Sequence, residues 1–287
     1  MNGHTIRATL LLAAAMLVAA SLAGSAGARP EALANMHLQI EDPAGDSGSA
    51  PDLTLLNVGN DVVAGPIVIW IDTANRDRLG GDDMVSVFLD ADQNPATGLA
   101  PFGIDYVVGG GSAATARVFR WDGAALVREP APSLRFEQFA REIRISIQPA
   151  DLGGTRAFDF FVAATNGVDT DFAPDGGPAV YTLRSGPVVL SVEAFRVTPR
   201  VARAGRRVTA VLLPGREDTF EVLWEGTVRC TAKVGKTSLP TRKGWSDAGA
   251  FCSLAVPKTA KGKRVTVTLS VAFGGRTVSR TWRSTVR

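Results

Sequence analysis

The chain has 287 residues, with 31 Lys and Arg against 28 Asp and Glu, two Cys and two His. That length suits one large or two ordinary domains. One His, His37, lies beyond the first few residues, which excludes most His-dependent triads, acid–base pairs and zinc sites. The net charge of +3 hides a division. Residues 29–185 hold 22 acidic side chains and 11 Arg with no Lys, a net of −11, whereas residues 186–287 hold 6 acidic side chains and 19 Lys and Arg, a net of +13. Such asymmetry predicts two units with different surfaces.

In chain order, residues 1–28 read as a secretory signal. Arg7 supplies the positive start, Leu10–Ala20 the short apolar run, and Ala26-Gly27-Ala28 the small-residue cleavage pattern. The predicted localisation is secreted, either extracellular or cell-surface associated. No later stretch has the length of a membrane span, so no transmembrane segment is expected.

Residues 29–185 read as short strands and turns, with no amphipathic helix longer than a turn or two. Pro66–Ile71 and Val85–Leu89 are apolar on both faces, as central strands are when covered. Ala116–Trp121 and Ala125–Arg128 flank Asp122-Gly123, a type I′ hairpin signal. Arg141–Gln148 alternates, with Ile143, Ile145 and Ile147 on one face. Phe158–Val162 and Val180–Leu183 complete a set whose spacing predicts a β-sandwich.

Residues 186–287 repeat the style. Val188–Val197, Arg207–Leu213, Phe220–Trp224, Thr227–Ala232, Ala250–Val256, Arg264–Phe273 and Thr277–Val286 make about seven predicted strands. Cys230 and Cys252 fall on inward faces of different strands, and in an oxidising compartment an even pair predicts one disulfide. Closing a loop of that length adds roughly 3–4 kcal/mol in the chain-entropy model. The expected fold class is therefore all-β: two β-sandwiches, the second immunoglobulin-like with one disulfide.

Chemistry concentrates in Val85–Tyr106, VSVFLDADQNPATGLAPFGIDY. Asp90, Asp92 and Asn94 stand at alternate positions between two strand-like runs. Three oxygen-bearing side chains so spaced converge when the backbone curls, as around a calcium ion, with Asp105 or an acid of Asp42–Asp52 completing the set. The loop is not an EF-hand, because Pro95 takes the place of the invariant glycine and no Glu closes it. The same residues also suit turns in which Asx side chains bond their own backbone. Asp169, Asp171 and Asp175 form a second cluster of similar spacing. Trp70, Trp121 and Tyr106 are the candidate rings for stacking on a sugar or other small ligand, and each also suits a structural aromatic.

The first half resembles the extracellular β-sandwich modules grouped with the family-nine carbohydrate-binding modules and the DOMON-like domains. The resemblance covers about residues 42–183. It rests on DPAGD and APDLT within Asp42–Thr54, FLDADQNPATG at Phe88–Gly98, GIDYVV at Gly103–Val108 and ADLGG at Ala150–Gly154. It implies sugar or small-ligand binding and a structural calcium. The second half is similar to immunoglobulin-like domains of secreted bacterial proteins.

No nucleophile-elbow pattern occurs, so the expectation is a binding protein and not an enzyme. The cationic run Lys258–Arg264 has no interleaved aromatics, which argues against nucleic acid. Two functions remain from the sequence. One is carbohydrate or small-ligand binding through the first sandwich. The other is a structural or adhesive cell-surface role, with the basic domain contacting an anionic cell-surface polymer.

Overall fold

The computed structural model describes residues 37–287, and the signal expected over residues 1–28 lies outside the described residues. The chain divides into two compact units, the first ending at Arg184 and the second running Ser185–Arg287. Both are all-β. The helical content among the described residues is two single 3-10 turns, at Pro149–Leu152 and Lys258–Ala260. No helix among them is long and apolar enough to cross a membrane.

The first unit contains β1 (Leu38–Glu41), β2 (Leu53–Asn60), β3 (Ile67–Thr73), β4 (Met84–Asp90), β5 (Tyr106–Gly110), β6 (Arg117–Trp121), β7 (Leu126–Glu129), β8 (Arg135–Gln138), β9 (Glu142–Ile147), β10 (Ala157–Thr165), β11 (Thr170–Ala173) and β12 (Ala179–Thr182). One sheet has the order β1-β2-β3-β9-β8. The other runs β11-β10-β4-β5-β6-β7, with β12 also pairing β10. All pairings are antiparallel. Strand alternation decides what each sheet turns inward. Ile67, Ile69 and Ile71 of β3 and Ile143, Ile145 and Ile147 of β9 meet Val85, Val87 and Leu89 of β4 and Phe158, Phe160 and Val162 of β10 in one core.

The larger sheet also buries its outer face. Phe88 and Phe161 stack there at 4.7 Å, beside Val107 and Ala163, and Phe102 and Ile104 from the β4–β5 connection pack over them. This is why Val85–Leu89 is apolar on both faces.

The second unit contains β13 (Leu190–Thr198), β14 (Arg207–Arg216), β15 (Thr227–Val234), β16 (Thr237–Ser238), β17 (Thr241–Ser246), β18 (Gly249–Ala255), β19 (Arg264–Phe273) and β20 (Arg276–Thr285). Its sheets run β13-β14-β18-β17 and β16-β15-β19-β20. Lettered A to G, with β16 as C′, these are the A-B-E-D and C′-C-F-G orders of an immunoglobulin-like sandwich. Val265, Val267, Leu269 and Val271 of β19 are fully buried, facing Val208, Ala210 and Leu212 of β14 across the core. Cys230 on β15 and Cys252 on β18 form a disulfide with a Cα–Cα distance of 5.9 Å. It joins strands C and E across the sandwich, whereas antibody domains join B and F.

Two expectations for this unit need correction. Phe220–Trp224 is not a strand. It touches β14 through one bridge, Val222 to Gly215, and Phe220 has a left-handed φ of 61°. The segment is bent by a buried ion pair just before it: Arg216 donates from Nε to Asp218 Oδ1 at 3.1 Å and from an Nη to Oδ2 at 2.7 Å, with Asp218 fully buried. Conversely, β17 was not expected, because its sequence, TRKGWS, is too polar to show a buried face.

A buried carboxylate that supports a cation is costly to remove, since the cation is left without its partner. Asp218→Ala is expected to lower the stability of the second unit by about 3–5 kcal/mol. Chemical denaturation of parent and variant measures this, and a change near zero would show that the pair does not hold the segment.

Candidate functional site

The acidic loop starts where β4 ends. Asp90 is the last residue of that strand and is buried. Gln93 takes a left-handed φ of 55°, which turns the chain so that the Asn94 N–H donates to both Asp90 Oδ1 (3.1 Å) and Asp92 Oδ1 (3.0 Å). Thr97 Oγ1 donates to the Asp92 carboxylate, with separations of 3.1 Å and 3.0 Å to its two oxygens. The chain then returns through a bridge between Leu99 and Ile104. Asp105 arrives on this return and accepts from the Ala91 N–H at 2.9 Å. Gly103 makes the fit possible. Its φ is 68°, and a Cβ there would sit 2.7 Å from both the Asn94 carbonyl oxygen and Pro95 Cα.

The result is that Asp90, Asp92 and Asp105 each place a carboxylate oxygen within 4.8 Å of the others. Burial is the main reason that the Asp90 carboxyl is pushed up from 3.8 to about 6. The Asn94 N–H opposes the shift, and the neighbouring Asp92 and Asp105 charges add to it. Burial likewise raises Asp105. Three hard oxygens, one from the end of β4 and two from the β4–β5 connection, fit the chemistry of calcium. Beside this trio, the Asn94 Oδ1 accepts from the Ala96 N–H at 3.2 Å, an Asx turn. The loop thus combines the two sequence readings: converging carboxylates held by turn chemistry.

The second expected cluster divides. Asp169 turns away to accept from the Ser49 N–H at 2.8 Å, while Asp171 and Asp175 lie near Asp42, Asp46 and Asp52 at another end of the sandwich.

The three candidate rings do not converge. Tyr106 is 7% exposed and belongs to the core, because on β5 it alternates inward with Val108. Its ring offers no face to a ligand. Trp121 ends β6 in the larger sheet, and Trp70 lies on β3 in the other. No paired-tryptophan cleft forms among the described residues. Trp70 does not pack between the layers either; Ile69 and Ile71 do, and Trp70 is half-buried on the outer face.

Around Trp70 the strand register lines up one side chain from each of the five strands: Gln39, Asn57, Trp70, Arg144 and Glu137. Arg144 donates to Glu137 at 2.6 Å, and its guanidinium carbon lies 5.8 Å from the Trp70 ring centroid. Phe139, which is 44% exposed, lies 5.6 Å from Trp70 between centroids. Sequence reasoning missed Phe139, whose only signal was a large apolar residue at a strand end.

No protein-family model and no curated protein matches the chain. Among solved structures it is similar to a chimeric titin Z1Z2-Z1Z2 tandem functionalized with a GRGDS peptide from fibronectin, at 12% identity and a TM-score of 0.25, covering 78% of this chain and 91% of that one. It is also similar to a chimeric titin Z1Z2 functionalized with a KLER peptide from decorin, at 12% identity and a TM-score of 0.29, covering 83% and 97%. Scores this low carry no argument, and the fold assignment rests on the strand orders given above.

A carboxyl whose folded pKa exceeds its unfolded value binds more protons when folded, so stability falls as pH rises between the two values. For Asp90 that window runs from 3.8 to about 6. In calcium-free buffer the melting temperature should fall across this window by more in the parent than in Asp90→Asn. Equal falls in the two proteins would remove Asp90 as a source of the pH dependence.

Proposed function

We propose that the protein is a secreted, non-catalytic binding protein that takes a carbohydrate or other ring-bearing small ligand on the first sandwich. The observation that carries this reading is the row Gln39, Asn57, Trp70, Arg144 and Glu137 with Phe139 beside it. An aromatic surface gives a sugar ring an apolar face to lie on, and amide, guanidinium and carboxylate groups at its margins can hydrogen-bond hydroxyls. The resemblance to family-nine carbohydrate-binding and DOMON-like modules supports the same reading. A calcium ion at Asp90, Asp92 and Asp105 would be structural, fixing the β4–β5 connection.

The charge division supports a second reading. The second unit's 19 cations against 6 acids suit an anionic cell-surface polymer, with the sandwiches acting as spacers.

A glycan array with the purified protein separates the two. The first reading expects binding to at least one neutral glycan class, weakened tenfold or more by Trp70→Ala and little changed by Trp121→Ala. Binding indifferent to Trp70→Ala, or binding confined to polyanions and abolished by salt, would transfer the case to the second reading.

A further inference from the structure

The first unit carries a second group of acids, remote in the fold from the Asp90 loop. It lies where an edge of one sheet meets an edge of the other. Asp42 directly follows β1, Asp52 directly precedes β2, and Asp171 lies within β11, an edge strand of the larger sheet. The strand register puts Asp171 level with Ala164 of β10 and so with Val85, at the opposite end of β4 from Asp90. One hydrogen bond crosses between the sheets here, from the Leu53 N–H to Asp171 Oδ2 at 2.6 Å. Asp42, Asp46 and Asp175 each place a carboxylate oxygen within 4.8 Å of the other two. Asp46, Asp52 and Asp171 do the same, so Asp46 belongs to both sets.

An acidic cluster on a surface is ordinary, but this one has an unmet member. Asp42 is 8% exposed, and its Oδ2 is buried with no hydrogen-bond partner. Buried acceptors are nearly always satisfied, and an orphaned charged one is expensive. No Lys, Arg or His among the described residues makes an ion pair with any of the five acids. Burial first, and then the charges of Asp175, Asp171 and Asp46, push the Asp42 carboxyl up from 3.8 to about 7, against the opposing effect of the Asp175 backbone N–H.

We propose that Asp42, Asp46 and Asp175 bind a calcium ion that clasps the two sheets of the first unit at this edge, with Asp52 and Asp171 as a further pair of acids reached through Asp46. The spacing suits the ion. Calcium holds oxygens at about 2.3–2.6 Å, so ligands on opposite sides stand up to roughly 5 Å apart. Magnesium holds them at about 2.0–2.1 Å and keeps much of its water. Zinc prefers His and Cys, and neither is in the cluster. The clasp is reached from both sheets, since Asp42 and Asp46 follow β1 in one and Asp175 follows β11 in the other.

The test uses an Asp90→Asn/Asp92→Asn protein, so that the other loop cannot contribute, stripped with a chelator. Calcium at about a hundredfold over its Kd should raise the melting temperature by about 5–10 °C. Adding Asp46→Asn or Asp175→Asn, both at exposed positions, should abolish the rise. Asp42→Asn gives a result of opposite sign in the two buffers. It should melt higher than its background in chelator, where a crowded charge has been removed, and lower in calcium, where a ligand has been lost. A melt indifferent to millimolar calcium would overturn the proposal, as would a rise that survives both substitutions or one that magnesium reproduces in full. None of these outcomes depends on whether the Trp70 row binds a sugar.

Discussion

Phe88 and Phe161 stack on the face of the larger sheet that points away from the core, and two rings on an outer face must be covered. Part of that cover comes from the connection that leaves β4. Phe102 folds back onto Phe161 at 5.6 Å, edge to face, and Ile104 joins it. This fold-back draws the rest of the connection into a tight path. Asp105 is brought beside Asp92 and Asp90, and Gly103 is required where no side chain fits. The acidic loop therefore owes its shape to apolar burial, and its carboxylates converge at a charge cost that burial of the phenylalanines offsets.

A first unit without lysine must manage crowded acids by other means. Backbone N–H groups do part of this work, as at Asp92 from Asn94 and at Asp52 from Gly45. Hydroxyls do more, as Thr97 does for Asp92. Such partners serve the exposed Asp92 and the buried Asp52 alike. At Asp42 they leave Oδ2 without a partner. Arginine serves buried acids in both units, Arg76 at Asp83 in the first and Arg216 at the fully buried Asp218 in the second.

Much of the fold was legible because strand alternation records burial directly. The isoleucines of β9 and the valines of β19 announced their inward faces, and Val85–Leu89 announced cover on both sides. Strand β17 was not legible, since an edge strand with so polar a sequence carries no such record, and β1, LQIE, is too short for its alternation to stand out. The Phe220–Trp224 segment misled because its apolar residues follow a buried ion pair whose geometry, and not their periodicity, sets the backbone. At the candidate site, spacing pointed to Asp90, Asp92 and Asn94 and left the further ligand open between Asp105 and an acid of Asp42–Asp52; the return of the connection is what brings Asp105 in. Tyr106 failed as a ligand ring because its inward alternation with Val108 outweighs any polar tip. The cluster of Asp42, Asp46 and Asp175 could not be read locally, because edge-to-edge closure of two sheets unites residues from distant parts of the chain.

The bridge between Cys230 and Cys252 has a mechanical consequence. Its cysteines are separated by 22 positions and enclose β16 and β17 with parts of β15 and β18. If the second unit were stretched from its ends, β13, β14, β19 and β20 could peel away, but the enclosed segment could not pay out. At about 3.3–3.6 Å per extended residue, less the 5.9 Å that the bridge itself spans, the tether is shorter by roughly 65–75 Å than it would be with the sulfurs reduced. A unit bridged in this way would stretch less far under load, and its reach would depend on the redox state of its surroundings.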